Sequence, residues 1–324
     1  MFFAPFSRRA PTARLRQVAI ARGALSVRHR ARGQVAWNAD GHWAAVFPLG
    51  TDSQGRQLHR LVLGGPGRSL PREIPVTEDE IRHGLSTVFG TRVHLLEPPY
   101  ARRITNASRQ VEQYRHGRVF LAGDAAHVHL PLGAQGMNTG MQDALNLGWK
   151  LGAAVHGWAP EHLLDTYHAE QHPVGAAVLR NVRAQSLLMD WAGTSDPEVL
   201  AAREIFTHMA QLPDAQSDLA DLMSGMAIRY PMHGTEAHSL VGRPASDLDL
   251  GPARVHELLR SGHGILLDPA DTFAGVAGRW SDRVGRVGQG GRTEPMLIRP
   301  DGYVCWAGAA DPEPALNRWF GEPR

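Results

Sequence analysis

Gly123 and Asp124 close a short apolar run, Val119 to Ala122, and Pro131, Gly133, Ala134, Gly136, Met137 and Asn138 follow just before a helical pattern. These residue types at this spacing suit a large, flat, partly anionic ligand. A glycine lets the chain turn sharply at the end of a strand. The aspartate that follows can accept hydrogen bonds from the hydroxyls of a sugar or sugar alcohol. Pro131 stiffens the loop, while Gly133, Ala134 and Gly136 carry little or no side chain, so the backbone can lie close to a planar ring. Near Asn138 the first turn of the helix offers unpaired N–H groups and a positive dipole end to an anionic edge. A phosphate would suit the same place, which keeps several nucleotides open.

Other readings of these residues are plainer. Asp124 would serve equally as a turn or cap residue. His127 and His129 lie on one face of a strand, but no third ligand is spaced to complete a metal site. Trp149, Trp158 and Trp191 suit a core better than a cofactor stack. Arg109 would reach a phosphate or form a surface ion pair. Cys305 is the only cysteine, so the chain has neither a disulfide framework nor a CxxC pair for redox exchange.

The elements that must position the loop can be read from pattern. Asp40-Gly41 between two apolar runs, within Gly33 to Gly50, signals a hairpin, and Gln57 to Leu63 reads as a third strand. Thr77 and Glu80 form a capping box before Ile81, Leu85, Val88 and Phe89 at helical spacing, with Gly90 as the stop. Residues 33 to 100 are therefore expected to form an antiparallel sheet with one packed helix. Val119 to Ala122 is continuous rather than alternating, the pattern of a parallel strand covered on both faces. A helix is expected over about Thr139 to Ala154, where Met141, Ala144, Leu145, Gly148 and Leu151 keep one stripe, the face such a helix buries. Further helices are expected over Pro160 to Gln171, Pro173 to Leu188 and Asp196 to Leu212, with Pro173 and Pro197 in first turns. From about residue 230 a small α+β domain is expected, with strands in Gly262 to Pro269 and a hairpin in Pro295 to Gly308 turning at Asp301-Gly302.

Length and composition bound these expectations. A chain of 324 residues exceeds the usual compact domain, and 43% apolar against 20% charged residues is ordinary for a globular protein. No apolar run reaches the roughly 18 residues a membrane helix needs. Eight arginines precede the first acidic residue, Asp40, so the basic balance belongs to residues 1–32 and the rest of the chain is net negative. That segment is expected to be a disordered basic tail, suited to phosphates or to a transit role. The twin arginines Arg8 and Arg9 lack a following apolar region, so export is not expected. Neither a nucleic-acid nor a membrane partner is expected, and a lone cysteine suits the cytoplasm.

The stretch RVFLAGDAAHVHLPLGAQGMNTGMQDALNLGWKL, residues 118–151, resembles the second FAD fingerprint of the single-component aromatic hydroxylases, the para-hydroxybenzoate hydroxylase-like flavin monooxygenases. DTYHAEQHPV, Asp165 to Val174, resembles the helix and proline these enzymes carry next, and LIRPDGYVCW resembles the thioredoxin-like C-terminal domain of their larger members. The resemblance implies an α/β chain in three parts: the tail 1–32, a sheet plus the second half of a Rossmann-like FAD-binding domain over 33–229, and a thioredoxin-like domain over 230–324. It further implies that Asp124, following Gly123, binds the ribityl chain of FAD. Pro131, Gly133, Ala134, Gly136, Met137 and Asn138 would line its ring system, with residues 33–100 roofing the pocket. By the same resemblance NADPH or NADH reduces the flavin, and one oxygen atom from O2 enters a small aromatic or polyketide substrate. Leu130, Leu132 and Ala134 depart from the family's usual proline, smaller residue and glycine.

The family begins with a strand-helix unit bearing GxGxxG, a spacing these 324 residues do not contain, so the sequence resembles an N-terminally truncated hydroxylase. Two expectations follow. One is a monooxygenase, active alone, as a homo-oligomer or with a separate N-terminal FAD-binding half. The other is a non-catalytic remnant or binding module. Catalytic residues and the substrate itself are not legible.

Overall fold

The computed structural model describes residues 17–26, 34–65, 71, 73–90, 94–95, 100–105, 107–192, 194–232, 238–251, 253–288 and 294–323. The remainder of the basic tail expected over 1–32 lies outside the described residues.

The first element corrects the tail boundary, because Gln17–Ser26 is strand β1 at the heart of an antiparallel sheet. It pairs on one side with β4 (Gln57–Gly64) and on the other with β5 (His94–Leu95) and β6 (Tyr100–Thr105). β2 (Gln34–Trp37) and β3 (Trp43–Thr51) complete the order β2-β3-β4-β1, with β5 and β6 beyond β1. Arginine count misled here, since strand pairing uses the backbone and tolerates charged side chains. The β2–β3 turn falls where Asp40-Gly41 signalled it, with Gly41 at φ 76°.

Helix α1 (Glu78–Phe89) starts on Thr77, whose side chain accepts from the Glu80 N–H, and stops on left-handed Gly90. Its Ile81 and Leu85 pack on Ala44, Leu61 and Leu63 of the sheet. Truncating either fully buried leucine of β4 would cost about 2–5 kcal/mol. The opposite sheet face, through Trp43, Val62 and Ile104, lies on Leu130, Leu132, Val178 and Val182. Leu130 and Leu132 thus replace loop residues with core.

Between sheet and helices run four short strands: β7 (Arg109–Gln110), β8 (Arg115–His116), β9 (Val119–Phe120) and β10 (His127–Val128). They pair antiparallel, β8 with β9 and β10 with β7. The parallel strand expected over Val119 to Ala122 is therefore only two residues long, and Val119 is 61% exposed. Among the described residues the only parallel pairing is in the C-terminal region.

Helix α2 spans Gln135–Val155 and α3 spans Thr166–Ala192. α3 merges the two helices expected on either side of Pro173. A proline inside a helix costs about 3 kcal/mol, but burial of Tyr167, Glu170 and Gln171 before it and Val178, Leu179 and Val182 after it holds one continuous helix. α4 (Pro197–Ala210) is capped by Asp196 as expected, and α5 (Pro213–Ser224) adds a helix that was not.

The C-terminal region holds α6 (Val255–Leu258), β11 (Gly264–Leu267), α7 (Ala274–Gly278), β12 (Val284–Val287), β13 (Met296–Ile298), β14 (Val304–Ala307) and α8 (Glu313–Phe320). Its mixed sheet runs β12-β11-β13-β14, with the hairpin turning at Gly302, φ 84°. The boundary near residue 230 changes architecture without breaking the core. Ala153, Leu163 and Val174 of the helical region are buried in one cluster with Tyr230, Trp280, Trp319 and Phe320. Trp149 and Trp158 pack on that cluster.

Candidate functional site

The Gly123–Asp124 turn is held from several sides. The Leu121 N–H donates to the Tyr114 carbonyl at 2.9 Å, and the Tyr167 hydroxyl donates to the Leu121 carbonyl at 2.8 Å. Burial pushes both tyrosine hydroxyls well above their ordinary range, so each remains a donor. Gly123 takes φ 57°, the left-handed conformation glycine permits, and its N–H donates to Asp143 Oδ2 at 2.8 Å. The same oxygen accepts from His127 Nε2 at 2.7 Å, while Oδ1 has no partner among the described residues. Asp143 and His127 are both buried. The turn lies against α2 at Gly140, where an added Cβ would stand in ordinary contact, 3.5 Å, with the Gly123 Cα. Asp124 itself is exposed.

The second loop enters α2 through two consecutive left-handed residues, Gly133 at φ 67° and Ala134 at φ 55°. Ala134 is the N-cap and supplies no side-chain hydrogen bond, so the first-turn amides of Gln135, Gly136 and Met137 are free of a side-chain cap. Pro131, Gly133, Ala134, Met137 and Asn138 are exposed, and the Asn138 amide returns to the Ala134 carbonyl at 3.3 Å. Gly136 is placed differently from its neighbours, because a Cβ there would stand 3.3 Å from the His129 imidazole. Its small size makes room for His129. At Gly133 an added Cβ would stand 3.0 Å from the Gln185 amide. The loop residues thus lead into the first turn of α2, while the Gly123–Asp124 turn packs beside Gly140 and Asp143 further along it.

α2 reverses the polarity expected of it. Gln135, Thr139, Asp143, Asn146 and Lys150 are buried, whereas Met137, Met141, Leu145 and Val155 are exposed, Met137 by 76% and Val155 by 83%. The polar stripe is as regular as the apolar one, recurring every three or four residues, and that regularity was the signal for Asp143, Asn146 and Lys150 that sequence reading passed over. Their partners explain the burial: Asn146 and Lys150 both reach Glu170 of α3, at 2.6 and 2.8 Å.

His127 faces Asp143, and among the described residues no group of three His, Cys, Asp or Glu stands close enough to hold a metal ion. Arg109 is exposed on β7. A cavity of about 260 Å³ opens between α2, α3 and the end of α5, lined in part by Asn138, Gln142, Val178 and Met223. Among the described residues no helix is long and apolar enough to cross a membrane.

Comparison with known proteins gives two family matches, "FAD binding domain" over residues 12–182 and "Aromatic-ring hydroxylase, C-terminal" over residues 238–323. A 12-dehydrotetracycline 5-monooxygenase/anhydrotetracycline 6-monooxygenase of Streptomyces rimosus is 41% identical over 302 residues, covering 87% of this chain and 58% of that protein. A rifampicin monooxygenase of Streptomyces venezuelae is 42% identical over 282 residues, covering 85% of this chain and 56% of that protein. The solved structure of the anhydrotetracycline hydroxylase OxyS from Streptomyces rimosus superposes with a TM-score of 0.82 at 37% identity, covering 99% of this chain and 66% of that one. The chain thus spans a little over half the length of the curated relatives it matches.

Proposed function

Because the chain belongs to the FAD-binding, aromatic-ring hydroxylase family, we propose that it supplies the ring-side half of a flavin site and the substrate roof of an NAD(P)H-dependent monooxygenase acting on an aromatic or polyketide ring. The observation that carries this reading is the exposed Asp124, on a turn held to α2 through Asp143, together with a first turn of that helix that has no side-chain cap. The chemistry FAD supplies when bound is transfer of NADPH or NADH electrons to O2 and insertion of one oxygen atom into an electron-rich ring. The residues present fit its ribityl and ring portions. Asp124 would accept from the ribityl hydroxyls. The amides of Gln135, Gly136 and Met137 would oppose negative charge on the ring edge. The backbone of Pro131, Gly133 and Ala134 would lie against the ring, with Met137 and Asn138 at its margin. The β2–β4 sheet, closed onto Leu130 and Leu132, would shield the reacting face from water.

Activity further requires a unit carrying GxGxxG, on the same polypeptide or added in trans, because the 324 residues contain no such spacing. The exposed apolar residues Met141 and Leu145 of α2 are the surface such a unit would cover. A second copy of this chain on that surface is the competing outcome. The buried thiol of Cys305 fits a reducing cytoplasm. Titration of FAD against the chain, followed by quenching of flavin fluorescence, tests the site: the parent binds and Asp124→Ala binds at least tenfold more weakly. Equal binding by both refutes the assignment. NADPH oxidation with a panel of phenols and polyketides, with and without an added nucleotide-binding unit from a relative, tests the activity, and full turnover without that unit refutes the requirement for it.

A further inference from the structure

Among the described residues a cluster of buried charges lies well along α2 from the flavin loop. Arg299, at the end of β13, places Nη1 2.7 Å from Glu170 Oε1 and Nη2 2.8 Å from Glu170 Oε2. The same guanidinium reaches Asp301, Nε to Oδ1 at 3.1 Å and Nη2 to Oδ2 at 2.5 Å. Asp301 Oδ2 also accepts from the Trp149 indole at 3.1 Å and from Asn146 at 3.2 Å, and Lys150 bonds Asn146 and Glu170. Two cations and two carboxylates are thus enclosed together, with Arg299 over the Trp319 ring at 4.5 Å and beside Trp149 and Tyr230. Arg299 and Lys150 are fully buried and Glu170 is 1% exposed.

Such a cluster is a poor stabiliser, because desolvating four charges offsets most of their attraction, and an apolar replacement would hold two surfaces together as well. What it provides over an apolar patch is register: bidentate pairs accept one geometry. The register being fixed is that of the C-terminal hairpin against α2 and α3. Asn146, Trp149 and Lys150 of α2 are bound by it, and Asp143, less than a turn away on the same buried face, holds the Gly123 N–H. An α-helix transmits a shift along its axis rigidly, and Lys150 stands roughly 22 Å from Gln135 at 1.5 Å per residue.

We propose that Arg299 and Asp301 are positioning residues for the flavin-facing end of α2, so that docking of the C-terminal domain sets where the Gly123–Asp124 turn and the free first-turn amides stand. The ligand named here rests on the flavin reading above; the coupling to Gly123 does not. The C-terminal domain is in this view part of the site's framework rather than an attached module.

The test uses the full chain with Arg299→Met, Arg299→Lys, Asp301→Asn and the double variant Arg299→Met/Glu170→Gln, which removes one charge of each sign and serves should the single variant fail to fold. Amide exchange is followed at Gly123, along Asp143 to Lys150 and in β3 and β4, with FAD affinity measured in parallel. In Arg299→Met, Gly123 and the α2 amides exchange at least tenfold faster and FAD binds at least tenfold more weakly, while β3 and β4 keep parental rates. Arg299→Lys and Asp301→Asn fall between, and the double variant recovers part of both losses. Parental exchange at Gly123 and α2, with protection lost only in β11 to β14, overturns the proposal. So does faster exchange at Gly123 with FAD affinity unchanged. Failure of the parent to bind FAD refutes the flavin reading instead, and the exchange rates then decide the coupling alone.

Discussion

Asp143 offers the sharpest single perturbation, because one of its oxygens carries both of its hydrogen bonds. Oδ2 accepts from the Gly123 N–H at 2.8 Å and from His127 Nε2 at 2.7 Å, and Oδ1 accepts from nothing among the described residues. Asp143→Ala orphans both donors. An unsatisfied donor costs about 1–3 kcal/mol, with the half-exposed Gly123 amide at the low end and buried His127 at the high end, so the variant loses about 3–4 kcal/mol. Asp143→Asn can set its amide oxygen at the Oδ2 position and keep both bonds, losing only their charge assistance. Bonds to a charged group are about twice as strong as neutral ones, which puts the loss at about 1–2 kcal/mol. At about 2–4 °C per kcal/mol, Asp143→Ala melts roughly 6–16 °C below the parent and Asp143→Asn roughly 2–8 °C below. Thermal unfolding gives the order, and amide exchange at Gly123 localises it: the turn opens first in Asp143→Ala. If Asp143→Ala melts with the parent, or Asp143→Asn melts lower than Asp143→Ala, the convergence on one oxygen is not what holds the turn.

Four further outcomes are expected. Asp124→Ala loses a charge-assisted acceptor worth about 1.5–3 kcal/mol, or roughly tenfold to a hundredfold in FAD affinity, with no change in melting because the residue is exposed. Ala134→Gly relieves the left-handed conformation at φ 55° and melts at or slightly above the parent, a gain of at most about 1 kcal/mol. Met141→Glu with Leu145→Glu charges the exposed α2 stripe and lowers self-association in analytical ultracentrifugation without shifting the helical circular dichroism. The last concerns pH. Burial raises Glu170, but Arg299 and Lys150 together outweigh it and bring its pKa from 4.5 down to about 2. Because the folded value lies below the unfolded one, the stability Glu170 contributes is complete above about pH 4.5 and is lost as pH falls toward 2. Lys150, serving the same carboxylate beside a second cation, bears the desolvation and is lowered to about 8. Acid unfolding of Glu170→Gln should be flatter over that window, and a parallel acid limb would show that other carboxylates govern it.

Much of this protein is written locally. The Thr77 cap, the Gly90 stop, the turns at Gly41 and Gly302 and the Asp196 start of α4 each depend on residues within a few positions of one another, and each stands where the sequence placed it. The Gly123–Asp124 turn was legible for the same reason, as was the family, but α2 begins at Gln135, a turn before the Thr139 that its pattern indicated. Tertiary structure decided the rest. Periodicity reveals that α2 has an apolar stripe and a polar one but not which faces inward, and here the polar stripe does, because its partners Gly123, Glu170 and Asp301 lie up to 155 residues away. Strand β1 was hidden inside an arginine-rich segment because its pairing with β4 and β6 is a backbone matter between distant segments. Arg299 and Glu170 meet across 129 residues, and only the packing of the C-terminal hairpin on α2 and α3 turns two unremarkable charges into a buried bidentate pair.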